Sequence, residues 1–179
     1  MRIPAAEVLE SATAVLAKDR GASMQVIAAR AGISRATLLR LFPTRQVLVQ
    51  AMAEKILDDC DRVLAQAEAD TAPVEQVLAA VVAEYTPFAQ LWNFVYVEPD
   101  VLGVPEASER AGAIFRRTVS LVERGQNAGL LRGDMPATWL ASTFCGLAET
   151  AWELTLEGHM GARQAPDFIN AILLHGVTA

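Results

Sequence analysis

Residues 23–45 read SMQVIAARAGISRATLLRLFPTR, and two short helical patterns meet inside them at Gly32-Ile33. Ser23 precedes the first pattern and Ser34 the second. A serine there can accept a hydrogen bond from an amide two or three residues on and so start a helix. Gly32 can adopt the left-handed backbone that a tight turn requires. Pro43 ends the second pattern, because it lacks an amide proton and disfavours helix at Phe42. Ala28 is small enough for the helices to approach, and Ile33, Leu38 and Phe42 can fill the junction. Leu38 and Phe42 stand four apart, on one face. Two helices of about two turns each, joined this tightly, are a helix-turn-helix, whose second helix enters the major groove of DNA.

The other face of that second helix carries Arg35, Ala36, Leu39 and Arg40. Arginine can bond guanine through two donors, and alanine or leucine can touch a thymine methyl. Thr37 and Ser34 can bond phosphates or base edges, with Ser23 at the start of the preceding helix. Arg45 opens the next helix, where backbone amides already favour an anion, and reads as a phosphate clamp. The expected DNA contacts are therefore Ser23, Ser34, Arg35, Ala36, Thr37, Leu39, Arg40 and Arg45.

Outward from this stretch the sequence reads as helix throughout, with no strand alternation and no fixed-period repeat. A first helix is expected over 4–20, opened by Pro4 and closed by Gly21, with Val8, Leu9, Ala12, Val15 and Leu16 as its apolar stripe. Thr44 caps a longer helix to about Gln66. Further helices are expected over 73–85, 87–97, 106–128, 136–157 and 166–176. Pro99, Gly103 and Pro105 mark residues 98–106 as a loop.

Net charge is −6, unusual for a protein meant to meet DNA. Its distribution removes the difficulty. Residues 1–50 hold seven basic and three acidic residues, a balance of +4, whereas residues 51–179 hold eight basic and eighteen acidic ones, a balance of −10. A basic head on an acidic body presents one end to phosphate. Apolar residues make up 53% of the chain and mean hydropathy is +0.27, enough for a buried core. No uninterrupted apolar run reaches the ~18 residues of a membrane span, and residues 1–4 show no secretory pattern, so a cytoplasmic protein is expected. Cys60, Cys145, His159 and His175 stand apart from one another in sequence. Neither a metal site nor a cofactor is expected, and no nucleophile–base pair or carboxylate dyad suggests an enzyme.

The segment from Val8 to Met52 resembles the DNA-binding domain of the tetracycline-repressor-like (TetR/AcrR) family. The matching residues are Val8-Leu9-Glu10-Ser11-Ala12, Gly21, Ile27 to Ser34, Thr37-Leu38, Phe42-Pro43-Thr44-Arg45 and Leu48. Residues 123–134, from Glu123-Arg124-Gly125-Gln126 to Asp134, resemble the connector that precedes the family's dimerisation helices. The resemblance implies an all-α protein, with a three-helix DNA-binding domain over 1–50 and a helical ligand-binding and dimerisation domain over 51–179. Family members usually carry an aromatic at the position of Leu39 and His or Tyr at that of Leu41, so more weight falls here on Arg35 and Arg40. Only Arg2 remains of the family's basic N-terminal arm, so minor-groove arm contacts are not expected.

The resemblance also implies a homodimer joined through the last two helices. Trp139, Leu140, Phe144, Leu147, Ala151 and Leu154 on one of them, and Phe168, Ile169, Ile172 and Leu173 on the other, supply apolar surface for it. Aromatics gather in the body, where an apolar cavity with a few polar groups would hold a small hydrophobic effector. Phe88, Trp92, Tyr96, Phe115, Phe144 and Trp152 are its expected walls, with Gln126 or Glu149 as a polar anchor. The expected function is a transcriptional regulator: a homodimeric repressor released from a palindromic operator in double-stranded DNA by that effector. A helical enzyme or binding protein for a small apolar molecule is the alternative, and an architectural protein that coats DNA is a third reading.

Overall fold

The computed structural model describes residues 4–85, 105–161 and 163–176, with Trp152, Leu156 and His175 described by their backbone alone. The described residues form eight α-helices and no strand: α1 (Ala5–Leu16), α2 (Met24–Arg30), α3 (Arg35–Leu41), α4 (Arg45–Ala69), α5 (Val74–Tyr85), α6 (Pro105–Asn127), α7 (Ala137–Leu156) and α8 (Ala165–His175). The helix expected over 87–97 and most of the loop expected over 98–106 lie outside the described residues. The described chain forms two compact units. One holds residues 4–56 with 105–108, the other 57–85 with 109–176, and α4 contributes to both.

In the first unit, α2 packs against α1 and α3. Val8, Leu9, Ala12 and Leu16 of α1, Ile27 and Ala28 of α2, Leu38 and Phe42 around α3, and Leu48, Val49 and Met52 of α4 are buried together as its core. Burying a side chain of this size contributes about 1.5–3 kcal/mol. Val15, expected in the same stripe, is half-buried. Pro4 is the N-cap of α1 and not its first helical residue. The helix also stops at Leu16, four residues before Arg20. The amides of Lys18 and Asp19 both turn back to the carbonyl of Val15, and the Asp19 carboxylate accepts from the Gly21 amide at 2.9 Å. A short acidic side chain that bonds nearby backbone draws the chain out of the helix.

The second unit is built on the end of α4, α5, α6, α7 and α8, with α8 packed against α5 and α7. Val63 and Ala67 of α4, Val77, Val81 and Val82 of α5, Leu121 of α6, Phe144, Ala148 and Ala151 of α7, and Ala165 and Ile169 of α8 form its main core. One turn past the expected end at Gln66, α4 closes at Ala69, where the Asp70 carboxylate accepts from the Ala72 amide at 2.8 Å.

A ladder of arginines ties α6 to α4 within this unit. Arg110 bonds Asp58 at 2.6 Å and Asp61 at 2.6 and 2.8 Å. Arg117 bonds Asp61 at 2.7 Å and holds both oxygens of Glu68, at 2.7 and 3.0 Å. Arg124 donates to the carbonyl of Ala67 at 3.1 Å. The three arginines follow one another at intervals of seven, which keeps them on one side of α6.

Candidate functional site

The helix-turn-helix is assembled by local chemistry. Ser23 Oγ accepts from the Val26 amide at 3.4 Å at the start of α2. Gly32 follows α2 with φ +68°, and its neighbour Ile33 donates to the Ala28 carbonyl at 3.0 Å, which closes the turn. Ser34 Oγ accepts from the Thr37 amide at 3.1 Å and pairs with the Thr37 hydroxyl at 2.9 Å, so α3 starts at Arg35. Thr44 Oγ1 accepts from the Val47 amide at 3.1 Å and caps α4.

This arrangement sorts the side chains of α3 into two faces. Leu38 is fully buried and Phe42 nearly so, while Arg35, Ala36 and Arg40 are exposed. Thr37, Leu39 and Leu41 are half-buried, at the edges between the faces. Ser23 and Ser34 are exposed, with their oxygens engaged as caps. The exposed face thus carries two guanidinium groups and a methyl on one short, capped helix. That is the donor and apolar equipment that reads base edges in a major groove.

Arg45 is placed differently from the other expected contacts. It is half-buried, and its guanidinium donates to the backbone carbonyls of Ala22, at 2.8 Å, and Arg20. It holds the loop before α2 against the start of α4.

The second unit contains a small apolar cavity. Val81 and Val82 of α5, Leu121 and Val122 of α6, and Leu140 and Phe144 of α7 form much of its wall. Leu78, Leu131, Leu173 and Leu174 complete the apolar lining, and Thr118 and Asn170 supply the polar side chains among the described residues. Of the residues expected at an effector site, Phe144 lines this cavity. Phe115 packs instead against the small core of Val122, Leu131 and Ala141. Gln126 Nε2 donates to the carbonyls of Arg132 and Met135, at 2.9 and 2.8 Å, and thereby shapes the connector before α7. Glu149 is exposed. Phe88, Trp92, Tyr96 and the Trp152 side chain lie outside the described residues. Most of the cavity wall is aliphatic, and a leucine or valine that lines a cavity has the same helical spacing as one in a core. No signal in the sequence separates the two.

Three groups of the second unit hold their protons. Burial pushes the Cys60 thiol up to about 12 and the Cys145 thiol up to about 11, and it raises the Tyr85 phenol above its ordinary value. Thiols of that kind are poor nucleophiles, since the thiolate is the reactive form.

Residues 9–52 match the family model described as bacterial regulatory proteins, tetR family. The chain is 29% identical over 170 residues to the HTH-type transcriptional repressor LfrR of Mycolicibacterium smegmatis, covering 95% of this chain and 88% of that protein. It is 25% identical over 175 residues to the HTH-type transcriptional regulator NfxB of Pseudomonas aeruginosa, covering 96% of this chain and 94% of that one. The crystal structure of the TetR-like regulator LfrR from Mycobacterium smegmatis in complex with proflavine is similar along 97% of this chain and 96% of that one, with a TM-score of 0.75 and 28% identity. No helix among the described residues is long and apolar enough to cross a membrane. Residues 9–52 thus carry a helix-turn-helix of the tetR family of bacterial regulatory proteins, in a chain similar to TetR-like transcriptional regulators along nearly its whole length.

Proposed function

We propose that the protein is a homodimeric repressor that leaves a palindromic operator when a small hydrophobic molecule occupies the cavity of its body. The observation that carries this reading is the exposed Arg35–Ala36–Arg40 face of α3 on a capped helix-turn-helix. In this reading residues 1–50 bind DNA, with Arg35 and Arg40 as base readers and Ser23, Ser34, Ala36, Thr37 and Leu39 around them. Residues 51–179 bind the effector and the second subunit. The protein acts by binding and not by catalysis.

Three further observations support the finer parts. Trp139 on α7 is 63% exposed and Phe168 on α8 is 50% exposed, with Leu154 and Ile172 exposed on the same two helices. Such large apolar groups mark a surface that associates. A second copy would bury them and set two α3 helices about 34 Å apart, one turn of DNA. The cavity, apolar with two polar side chains, has the character of a small-molecule site. A similar protein is named a repressor, and its structure was solved with proflavine, a small aromatic molecule. An effector that binds one conformer more tightly shifts the population away from the DNA-competent one by its differential affinity.

Selection of bound fragments from a random DNA pool tests this reading. An inverted repeat with half-sites about one helical turn apart is expected. A single asymmetric site, or retention without sequence preference, would reject it. Sedimentation of wild type and Trp139→Asp tests the dimer: wild type is expected at twice the chain mass and the variant at a lower mass.

A further inference from the structure

Side chains of α5, α6, α7 and α8 wall the cavity of the second unit, and among the described residues none of them is charged. The two polar ones, Thr118 and Asn170, are neutral. The Thr118 hydroxyl is already spent on its own helix, where it donates to the Ile114 carbonyl at 3.1 Å. The charged residues of the same helices are committed elsewhere. Arg117, beside Thr118 in sequence, bonds Asp61 at 2.7 Å and both oxygens of Glu68. Arg124, two residues after Val122, donates to the Ala67 carbonyl at 3.1 Å. Glu84, Arg116, Glu123, Glu149 and Asp167 are exposed. Cys60, Cys145 and Tyr85 are the other groups of this unit able to become anions, and burial holds each of them protonated. A cation or an anion brought into the cavity therefore meets no counter-charge among the described residues.

We propose that the cavity selects its occupant by charge: it admits a small uncharged molecule made mostly of hydrocarbon, and it refuses a cation or an anion of the same shape. This rests on reading the cavity as the effector site. A charge that leaves water without gaining a counter-charge is strongly disfavoured. Phe144 is the one aromatic ring on the described wall, and a ring face attracts cations. A single contact of that kind is worth less than the hydration a buried ion gives up. An uncharged apolar molecule has the opposite balance. It leaves water favourably and gains dispersion contacts with the leucines and valines of the wall. A regulator built this way answers to neutral small molecules and stays on its operator in the presence of organic ions that carry the same ring.

Three probes of similar size test this by titration calorimetry on the full chain at neutral pH: toluene, its isosteric cation N-methylpyridinium, and the anion benzoate. Toluene is expected to bind, and each charged probe to bind more than about tenfold more weakly, since the ion must shed its hydration. Leu174→Trp and Leu140→Phe each enlarge a side chain of the wall and are expected to weaken toluene. A charged probe that binds within about tenfold of toluene, and is weakened by the same two variants, overturns the selection by charge while the cavity remains a binding site. Binding of no probe, or unchanged toluene binding in both variants, overturns the effector-site reading as well.

Discussion

Nη1 of Arg45, the first residue of α4, donates to the carbonyl oxygen of Ala22, just before the N-cap of α2, at 2.8 Å. The same guanidinium also reaches the Arg20 carbonyl. A loop and a helix more than twenty residues apart in sequence are thus joined. Hydrogen bonds from a charged donor are stronger than neutral ones. Arg45→Ala should therefore cost about 2 kcal/mol in urea unfolding, with Arg45→Lys between the two because ammonium lacks the fork. The salt dependence of DNA binding separates this tie from a phosphate contact. An unchanged slope fits the tie alone, and a slope smaller by about 1 assigns Arg45 a phosphate as well.

Arg40 projects from the exposed face of α3. If it reads a base, Arg40→Ala loses about 1–3 kcal/mol of binding and relaxes preference at one position of each half-site. Repeating the DNA selection with the variant measures both effects. A selected motif identical to that of wild type would remove Arg40 from the readers.

Gly32 isolates a backbone effect. Its φ of +68° lies in the left-handed region, yet a Cβ placed there would meet nothing within 4 Å. The strain of about 1–2 kcal/mol for a side chain in this region is partly offset by the lower entropy of the unfolded alanine chain. Gly32→Ala should thus destabilise by about 1 kcal/mol, measured by thermal or urea unfolding, with Gly32→Asn affected less because Asn tolerates this region. A loss of several kcal/mol would mean that the turn itself rearranges.

Asp61 accepts from both Arg110 and Arg117, and is the shared acceptor of the α4–α6 ladder. These groups are only partly buried, so each pair is worth little alone. Asp61→Ala should cost about 1 kcal/mol through the shared network. The hydrogen bond from Arg117 holds the Glu68 carboxyl below its ordinary value of 4.5. A depressed folded-state pKa contributes stability that is present above the unfolded value and lost as pH falls through the folded one. Wild type should accordingly melt slightly above Glu68→Gln near neutral pH, and the gap should close as pH drops below 4.5. A gap independent of pH would assign the effect to packing.

The helix-turn-helix was legible because its boundaries obey rules that act over three or four residues. Ser23, Gly32, Ser34 and Pro43 place the ends of α2 and α3 by capping, by left-handed backbone and by a missing amide proton. Gly129, with φ +73°, ends α6 in the same way. α1 ends four residues before the expected Arg20, because the Asp19 carboxylate competes for the backbone ahead of Gly21. The arginine ladder went unread for a different reason. Arg110, Arg117 and Arg124 recur every seven residues, yet only the approach of α4 turns a solvated charged stripe into bonded pairs.

The sequence by itself determined that residues 23–45 make a helix-turn-helix and which face of α3 is exposed, since amide capping and helical period are local properties of the chain. Tertiary structure alone decided what Arg45 does. A guanidinium at the start of a helix suits a phosphate as well as it suits a carbonyl, and the choice depends on which acceptor the folded chain brings within 3 Å. It also decided where the cavity lies and that its wall is largely aliphatic, because a void is a property of packing between helices and leaves no periodic mark on any one of them.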